Sequence, residues 1–344
     1  MNSVAQQFST SITRIESLGN GLINDTYLVR TVANPFVLQR INRQVFPQPE
    51  QIMANLMVLS RHVEQINDEQ ITLKIPQLLP TLANNTFFFD EQGDVWRALS
   101  YIDNTESLET ISNCTQAEHV GYALGQFHRL TYSLDSEKLH DTLPGFHITP
   151  SYLQHYQQVK TNTKVYEGTD CADFIARYQH IADDLETAKT QGLLIERVIH
   201  GDPKLNNFLF DKTSHQIVSL IDLDTVKPGL IHYDLGDCLR SCCHNTETNA
   251  FNLDLCQGLL TSYLKEMGAL FTDKDYQFLY PAIRLIPFEL GLRFYTDYLE
   301  GSRYFKVVDS DENLLRAIGQ FRLCANIIAQ ETEIKTLINQ IYFM

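Results

Sequence analysis

The chain has 344 residues, with 27 Lys and Arg against 42 Asp and Glu, a formal net charge of −15 at pH 7. That balance argues against a nucleic-acid partner, which wants positive charge, and a 44% hydrophobic, 20% charged composition excludes a wholly disordered chain. The length suffices for two lobes with separate cores. A negative field suits a cationic substrate such as an aminoglycoside and equally serves solubility.

Residues 1–14 pair no basic stretch with an apolar run, and nowhere do 18 uncharged apolar residues follow one another. A soluble, cytoplasmic protein with no membrane partner is expected. Seven cysteines, an odd number on a long chain, read as reduced thiols. Cys238, Cys242, Cys243 and His244 lack a second pair at metal-ligand spacing, so packing explains them better than zinc.

In chain order, Tyr27–Arg30, Phe36–Ile41, Phe87–Asp90 and Val95–Tyr101 read as strands with turn chemistry between them. Between the second and third, Ile52, Met53, Leu56, Leu59 and Val63 share one face of a helix. Beyond Asn104 the period becomes 3.6, with Val120, Leu124, Phe127 and Leu130 on one stripe and further helices near 151–160 and 171–190. Short β pieces return over 193–223, and 251–266, 272–300 and 312–340 read as helical. This predicts an α+β chain with a β-rich lobe over residues 1–102 and a larger, mainly α lobe over 103–344. The cleft between them is the natural ligand site.

The most informative segment is VIHGDPKLNNFLFD, residues 198–211, followed by IVSLIDLDTVKPG, residues 217–229. Residues 208–210 and 217–221 fit a hairpin that brings Asn207 and Asp222 to neighbouring ends. Two oxygen donors facing one point suit Mg2+, which takes few protein ligands and fills its shell with water and phosphate oxygens. Asp202, five residues before Asn207, stands where a carboxylate can accept a hydroxyl proton during phosphoryl transfer. The spacing H-x-D-x-x-x-x-N is that of the kinase catalytic loop. Asp and Asn also frequent turns for local reasons, but a glycine, three such residues and a hairpin together favour catalysis. Lys204 either approaches the transferring phosphate or makes a surface ion pair. Asp224 either approaches a second metal or a substrate hydroxyl, or is structural. His200 reads as a brace for the loop.

On the nucleotide side, Gly19 and Gly21 lie in a turn where backbone amides can cover phosphates, without the third glycine of a dinucleotide fingerprint. Residues 36–42 put Leu38 and Arg40 on one strand face, Val37 and Gln39 on the other. Arg40 is the candidate phosphate clamp, with Glu50 at the next helix start as its partner or simply a residue favoured by the helix dipole. Tyr101 and Ile102, at the crossing between lobes, either border an adenine or form hinge core.

These residues resemble the aminoglycoside phosphotransferase and choline kinase superfamily, over most of the chain. The resemblance implies a protein-kinase-like two-lobed fold, ATP with Mg2+ as cofactors, Asp202 as the catalytic aspartate, Asn207 and Asp222 as metal ligands, and Asp237 as the carboxylate supporting the loop, with Asp234 in the same network. More narrowly, GLINDTYLV at 21–29, FVLQRIN at 36–42, LPGFH at 143–147 and ELGLRFYTDYLEGSRYFKV at 289–307 are similar to N-acetylhexosamine 1-kinases, which phosphorylate the anomeric hydroxyl of GlcNAc or GalNAc. An amino-sugar substrate in carbohydrate metabolism is then expected, with Asp103, His147, Arg293, Tyr295 and Asp297 as candidate contacts; Arg293 and Asp297 also suit a plain helix pair, and Tyr295 packing. Broader members carry a lysine in the phosphate-binding strand, and this chain has Gln39 and Arg40 there. Phosphorylation of another small hydroxyl compound, such as an aminoglycoside, choline or homoserine, is the competing activity. A nucleotide-binding regulatory module without turnover is the competing class.

Overall fold

The computed structural model describes residues 1–19, 23–66, 68, 70–162 and 170–343. Gly21 of the glycine pair lies outside the described residues. The N-terminal lobe begins with a short helix α1 (Asn2–Ala5), then β1 (Ile12–Ser17), β2 (Asp25–Thr31), β3 (Phe36–Ile41), helix α2 (Pro49–Gln65), β4 (Leu78–Leu79), β5 (Phe88–Phe89) and β6 (Val95–Ser100). The antiparallel sheet runs β1-β2-β3-β6-β4, with β5 also on β6. Strand β1 escaped the sequence reading because ITRIES alternates too weakly, with no fully buried position.

The two faces of this sheet do different work. On one face Val29, Phe36, Leu38, Trp96 and Ala98 pack with Val4 and Ala5 of α1. On the other, Gln39 of β3 stands opposite Arg97 of β6 and Thr26 of β2. The sequence-predicted stripe of α2 is correct: Pro49 opens the helix, and Ile52, Met53, Leu56 and Leu59 are buried.

A short strand β7 (Thr105–Glu106) crosses to the second lobe, which continues with α3 (Cys114–Thr131), α4 (Thr149–Asn162), α5 (Asp170–Tyr178), α6 (Asp184–Thr190), β8 (Arg197–Ile199), β9 (Phe208–Asp211), β10 (Ile217–Leu220), β11 (Lys227–Gly229) and α7 (Ile231–Cys242). A two-stranded ribbon, β12 (His244–Asn245) and β13 (Ala250–Phe251), leads to α8 (Leu253–Met267), α9 (Asp273–Gln277), α10 (Leu279–Leu299), α11 (Glu312–Ala329) and α12 (Glu331–Tyr342). The chain therefore has the two-lobed α+β fold, a β-rich lobe followed by a larger helical one. Strand β7 pairs with β9, and Asn104 carbonyl accepts the Lys212 amide at 2.9 Å. The interlobe crossing is thus fastened to the β9–β10 hairpin.

Helix α10 is apolar on nearly every side, as a helix buried in the lobe must be. Asn113 and Asn252 cap α3 and α8 with side-chain hydrogen bonds. These two helices pack so closely that a Cβ built on Gly121 would stand 2.1 Å from the Leu259 carbonyl oxygen, whereas one on Gly319 in α11 meets nothing nearer than 3.4 Å. Gly121→Ala is expected to lower the unfolding free energy measured by urea titration by about 1–3 kcal/mol. Gly319→Ala should leave it unchanged or raise it by about 0.5–1 kcal/mol. Equal effects of the two would refute the close α3–α8 contact.

Candidate active site

The site grows from the loop after β8. Gly201 has φ +87°, and a Cβ there would meet the Thr225 carbonyl oxygen at 2.8 Å, so only glycine fits. The Asp234 carboxylate, fully buried on α7, accepts the amides of His200 at 2.6 Å and Gly201 at 2.8 Å, and the His128 ring at 2.8 Å. Burial works against its charge, yet these donors hold its pKa below the ordinary carboxylate value. The loop-supporting carboxylate is therefore Asp234. Asp237, expected in that role, instead binds Arg240 at 2.8 Å, and its buried Oδ2 has no partner among the described residues.

His200 donates from Nε2 to the Ile221 carbonyl at 3.0 Å and accepts the Asp202 amide at Nδ1 at 3.2 Å. Both nitrogens are occupied by backbone, and burial pushes its pKa down, so the ring is a neutral brace. A second histidine holds the loop from behind. His147 donates to the Gly201 carbonyl at 2.6 Å and to Glu289 at 3.0 Å, stacked between Phe146 and Tyr233. Burial opposes its charge, but the Glu289 charge and hydrogen bond, with the Gly201 carbonyl, raise its pKa above the ordinary value. Two acceptors at two ring nitrogens require the imidazolium. His147 thus touches the back of the catalytic loop, which is a different position from the acceptor contact expected of it.

Asp202, Asn207 and Asp222 come together. Asn207 donates from Nδ2 to the Asp202 carbonyl at 2.7 Å and lies 3.4 Å from its carboxylate. Its remaining polar atom is Oδ1, an acceptor. The β9–β10 hairpin forms as expected, with Phe208 opposite Leu220, and the Asn207 carbonyl accepts the Ile221 amide at 2.9 Å. Asp222 follows at once in the left-handed region, φ +65°. Burial and the neighbouring Asp224 charge push the Asp222 pKa up to about 7, against Lys204. A carboxylate so burdened is one that a dication would relieve. With Asn207 Oδ1 it offers the oxygen donors Mg2+ prefers, so the residues fit that ion. No group of three or more His, Cys, Asp and Glu among the described residues is arranged to hold a metal, so other ligands to it would be water or phosphate oxygens.

Lys204 and Asp202 form an ion pair at 2.5 Å. Burial opposes the Asp202 charge, but the charge and hydrogen bond of Lys204, and then the charge of Arg240, hold its pKa below the ordinary value. Asp202 is therefore an ionised acceptor with its lysine partner in contact.

Several expected contacts lie elsewhere. Arg40 shares its sheet face with Trp96, away from Gln39, and pairs with Asp25 and, at 2.9 Å, with Asp94. It does not pair with Glu50, which is exposed in the first turn of α2. Gly19, φ +71°, ends the described part of the glycine-containing turn. Tyr101 and Ile102 are half-buried at the crossing, where the Ile102 carbonyl accepts the Thr105 hydroxyl at 2.8 Å. Asp103 is exposed and accepts the Asn104 amide at 2.8 Å.

Asp224 is a tie between lobes, not a free ligand. It pairs with Arg97 of β6 and accepts Asn24 Nδ2 at 2.8 Å. Tyr295 is buried in the helical core. Asp297 accepts the amides of Arg303 and Tyr304 at 2.8 Å and of Phe305 at 3.0 Å, and the Asn313 amide at 2.9 Å. It shapes the 302–305 loop and makes no helix pair with Arg293. That loop brings Tyr304 and Phe305 around the Arg293 guanidinium, 5.8 and 5.5 Å from their ring centres, with Phe146 and Tyr152 each at 5.0 Å. Arg293 has no carboxylate within ion-pair distance among the described residues.

The residues missed by sequence reading are Arg97, Asn24 and Glu289. An arginine inside the apolar strand VWRALS was the available signal for the first.

Comparison with known proteins agrees with this fold. The profile of the phosphotransferase enzyme family matches residues 14–270. Among solved structures, the fold is similar to that of the microcompartment-associated aminopropanol kinase, with TM-score 0.70, 16% identity and 96% of each chain covered. It is also similar to an aminoglycoside phosphotransferase from Alicyclobacillus acidocaldarius subsp. acidocaldarius, TM-score 0.65, 14% identity, covering 98% of this chain and 96% of that one. A spectinomycin phosphotransferase in complex with ADP and spectinomycin gives TM-score 0.59, 13% identity and coverage of 93% and 94%.

The chain belongs to the phosphotransferase enzyme family. The activity class is ATP-dependent phosphoryl transfer to a small hydroxyl-bearing molecule. No helix among the described residues is long and apolar enough to cross a membrane.

The Asp222 environment has a measurable consequence. Its pKa of about 7 in the folded protein exceeds the ordinary 3.8, so the folded state binds the proton more readily than the unfolded one. Stability of the metal-free protein contributed by this group therefore falls as pH rises through that window. Asp222→Asn should melt above the metal-free parent at pH values beyond the window, and the gap should close as pH falls toward the ordinary aspartate range. A gap independent of pH would reject the raised pKa.

Proposed function

We propose that this protein is a Mg2+- and ATP-dependent kinase that phosphorylates a small sugar-like alcohol, with an N-acetylhexosamine as the leading acceptor and its anomeric hydroxyl as the target. The observation that carries the kinase reading is the meeting of ionised Asp202 with Asn207 and Asp222 on one loop and hairpin. In this reading Asn207 and Asp222 hold the Mg2+, which neutralises phosphate charge when bound. Asp202 orients the acceptor hydroxyl and takes its proton as the oxygen attacks phosphorus. Lys204, beside Asp202, offsets charge developing on the transferring group. The loop, fixed by Asp234 and His147, makes alignment the main catalytic contribution.

The acceptor is argued from Arg293. Burial opposes its charge, while Tyr152, Tyr304, Glu289 and Asp202 favour it, so it stays a guanidinium that feels the Asp202 carboxylate. A fixed cation whose N–H groups meet no acceptor among the described residues suits an acetamide carbonyl, ring oxygens or an acceptor carboxylate, and repels the amines of an aminoglycoside or choline. The comparisons support the wider class of small hydroxyl compounds more strongly than a hexosamine in particular, and a carboxylate-bearing alcohol such as homoserine also satisfies Arg293.

The test is a kinetic panel of free hexosamines, hexoses, homoserine, aminoglycosides and choline with Mg-ATP, with phosphorus NMR locating the product phosphate. A phosphate on the anomeric carbon is the expected result; turnover of cationic acceptors alone would overturn the acceptor assignment, and no turnover with any acceptor would favour a regulatory module. Asp202→Asn should lower kcat by about 10²–10⁴ with ATP binding largely kept; unchanged turnover would reject the base. Arg293→Met should raise acceptor KM about tenfold or more, with little change in ATP KM. Equal changes in both would point to misfolding of the loop instead.

A further inference from the structure

In kinases of this architecture a lysine on strand β3 bears on the nucleotide phosphates and is held by a carboxylate. Here the cleft-facing residue of that strand is Gln39, which is uncharged, and Arg40 faces the other side of the sheet. A cation does stand on this side of the sheet one strand away, on β6.

Arg97 lies directly opposite Gln39 on β6, and only 1% of its side chain is exposed. Its guanidinium is held on two sides. Nε and Nη2 donate to Gln39 Oε1 at 3.0 and 2.7 Å, and Nη2 also pairs with Asp224. Gln39 is itself oriented by its Nε2 donating to the Thr26 hydroxyl at 3.1 Å. Asn24, beside the glycine-containing turn, donates to the other oxygen of Asp224 at 2.8 Å. The third nitrogen, Nη1, is buried with no hydrogen-bond partner among the described residues.

An unpaired buried guanidinium N–H is costly unless a ligand satisfies it. The other cation at the site, Lys204, is in contact with Asp202. Arg97 and Asn24 of the first lobe thus meet on Asp224, which lies two residues beyond Asp222. Phosphate groups carried by an ion on Asn207 and Asp222 would lie next to this cluster.

We propose that Arg97 is the phosphate-binding cation of this enzyme, its Nη1 donating to a phosphate oxygen of the nucleotide while Gln39 and Asp224 hold the other nitrogens. The pair Arg97–Asp224 then takes the part that a strand lysine and a helix glutamate take in protein kinases, with the charge moved from β3 to β6. This inference rests on the kinase reading above.

The experiment measures equilibrium binding of Mg-ATP, Mg-ADP and adenosine to the full chain and its variants, with circular dichroism as the folding control. Arg97→Met should weaken ATP and ADP by about tenfold or more and leave adenosine nearly unchanged, because only the phosphates lose a partner. Adding Gln39→Lys to that variant should restore part of the loss by returning the charge to β3. If Arg97→Met does not fold, Arg97→Lys, which keeps the charge and loses the fork, should give a smaller loss confined to the phosphorylated ligands. Equal weakening of adenosine and ADP would show that Arg97 only ties the lobes and would overturn the proposal, as would unchanged ADP binding. A parent protein that binds acceptor but no nucleotide would overturn the kinase reading itself, a result separable from the loss in a variant alone.

Discussion

Two backbone amides ending on one buried carboxylate set the active geometry of this protein. His200 and Gly201 both donate to Asp234, and the loop leaves that anchor with Gly201 in a conformation and a space that only glycine satisfies. A carboxylate at this depth is stable only because every lone pair in use meets a donor. Once the loop start is pinned, Asp202 two residues later has little freedom, and the Leu205 amide, held by Ser241 at 2.8 Å, closes the loop from its far end. Asn207 and the β9–β10 hairpin then follow from chain geometry. The placement of this loop comes from α7, through Asp234 and Ser241, and not from Asp202 or Asn207 themselves.

The electrostatic design is one of unequal partners. Asp202 is stabilised as an anion by Lys204, while Asp222 is left with its charge disfavoured by burial and by Asp224. Two carboxylates on neighbouring turns are thereby pushed apart in basicity, as acid–base sites require. Asp224 can sit so close to Asp222 because Arg97 and Asn24 neutralise and bind it. The same contacts join the lobes across the cleft, so Asp224 both raises the Asp222 pKa and ties the two lobes together.

The local parts of this arrangement were legible in the sequence. Catalytic-loop spacing, a hairpin and a terminal aspartate are short-range patterns, and the chain reproduces them because turn chemistry and strand pairing act over a few residues. The helical stripe of α2 was legible for the same reason. Which face of a strand meets the cleft was not. Alternation in FVLQRIN separates Arg40 from Gln39 but carries no label for inside or outside; the label comes from α1, whose Val4 and Ala5 cover the face bearing Leu38. Asp297 and Tyr295 were misplaced similarly, since a residue pattern on α10 does not tell that the loop after it folds back onto Asp297.

That fold-back also explains why an arginine can persist in the second lobe without a carboxylate partner. Three backbone amides and the Asn313 side chain take the four acceptor positions of Asp297, which leaves none for a direct hydrogen bond from Arg293 one helical turn away. What Arg293 receives instead are four aromatic faces, which favour a cation without occupying its N–H donors. Lys204 differs in having a carboxylate of the chain, Asp202, in direct contact. One of these two cations is matched to a residue of the chain; the other is held in place and charged with no carboxylate partner among the described residues, and in the proposed reading the acceptor supplies its complement.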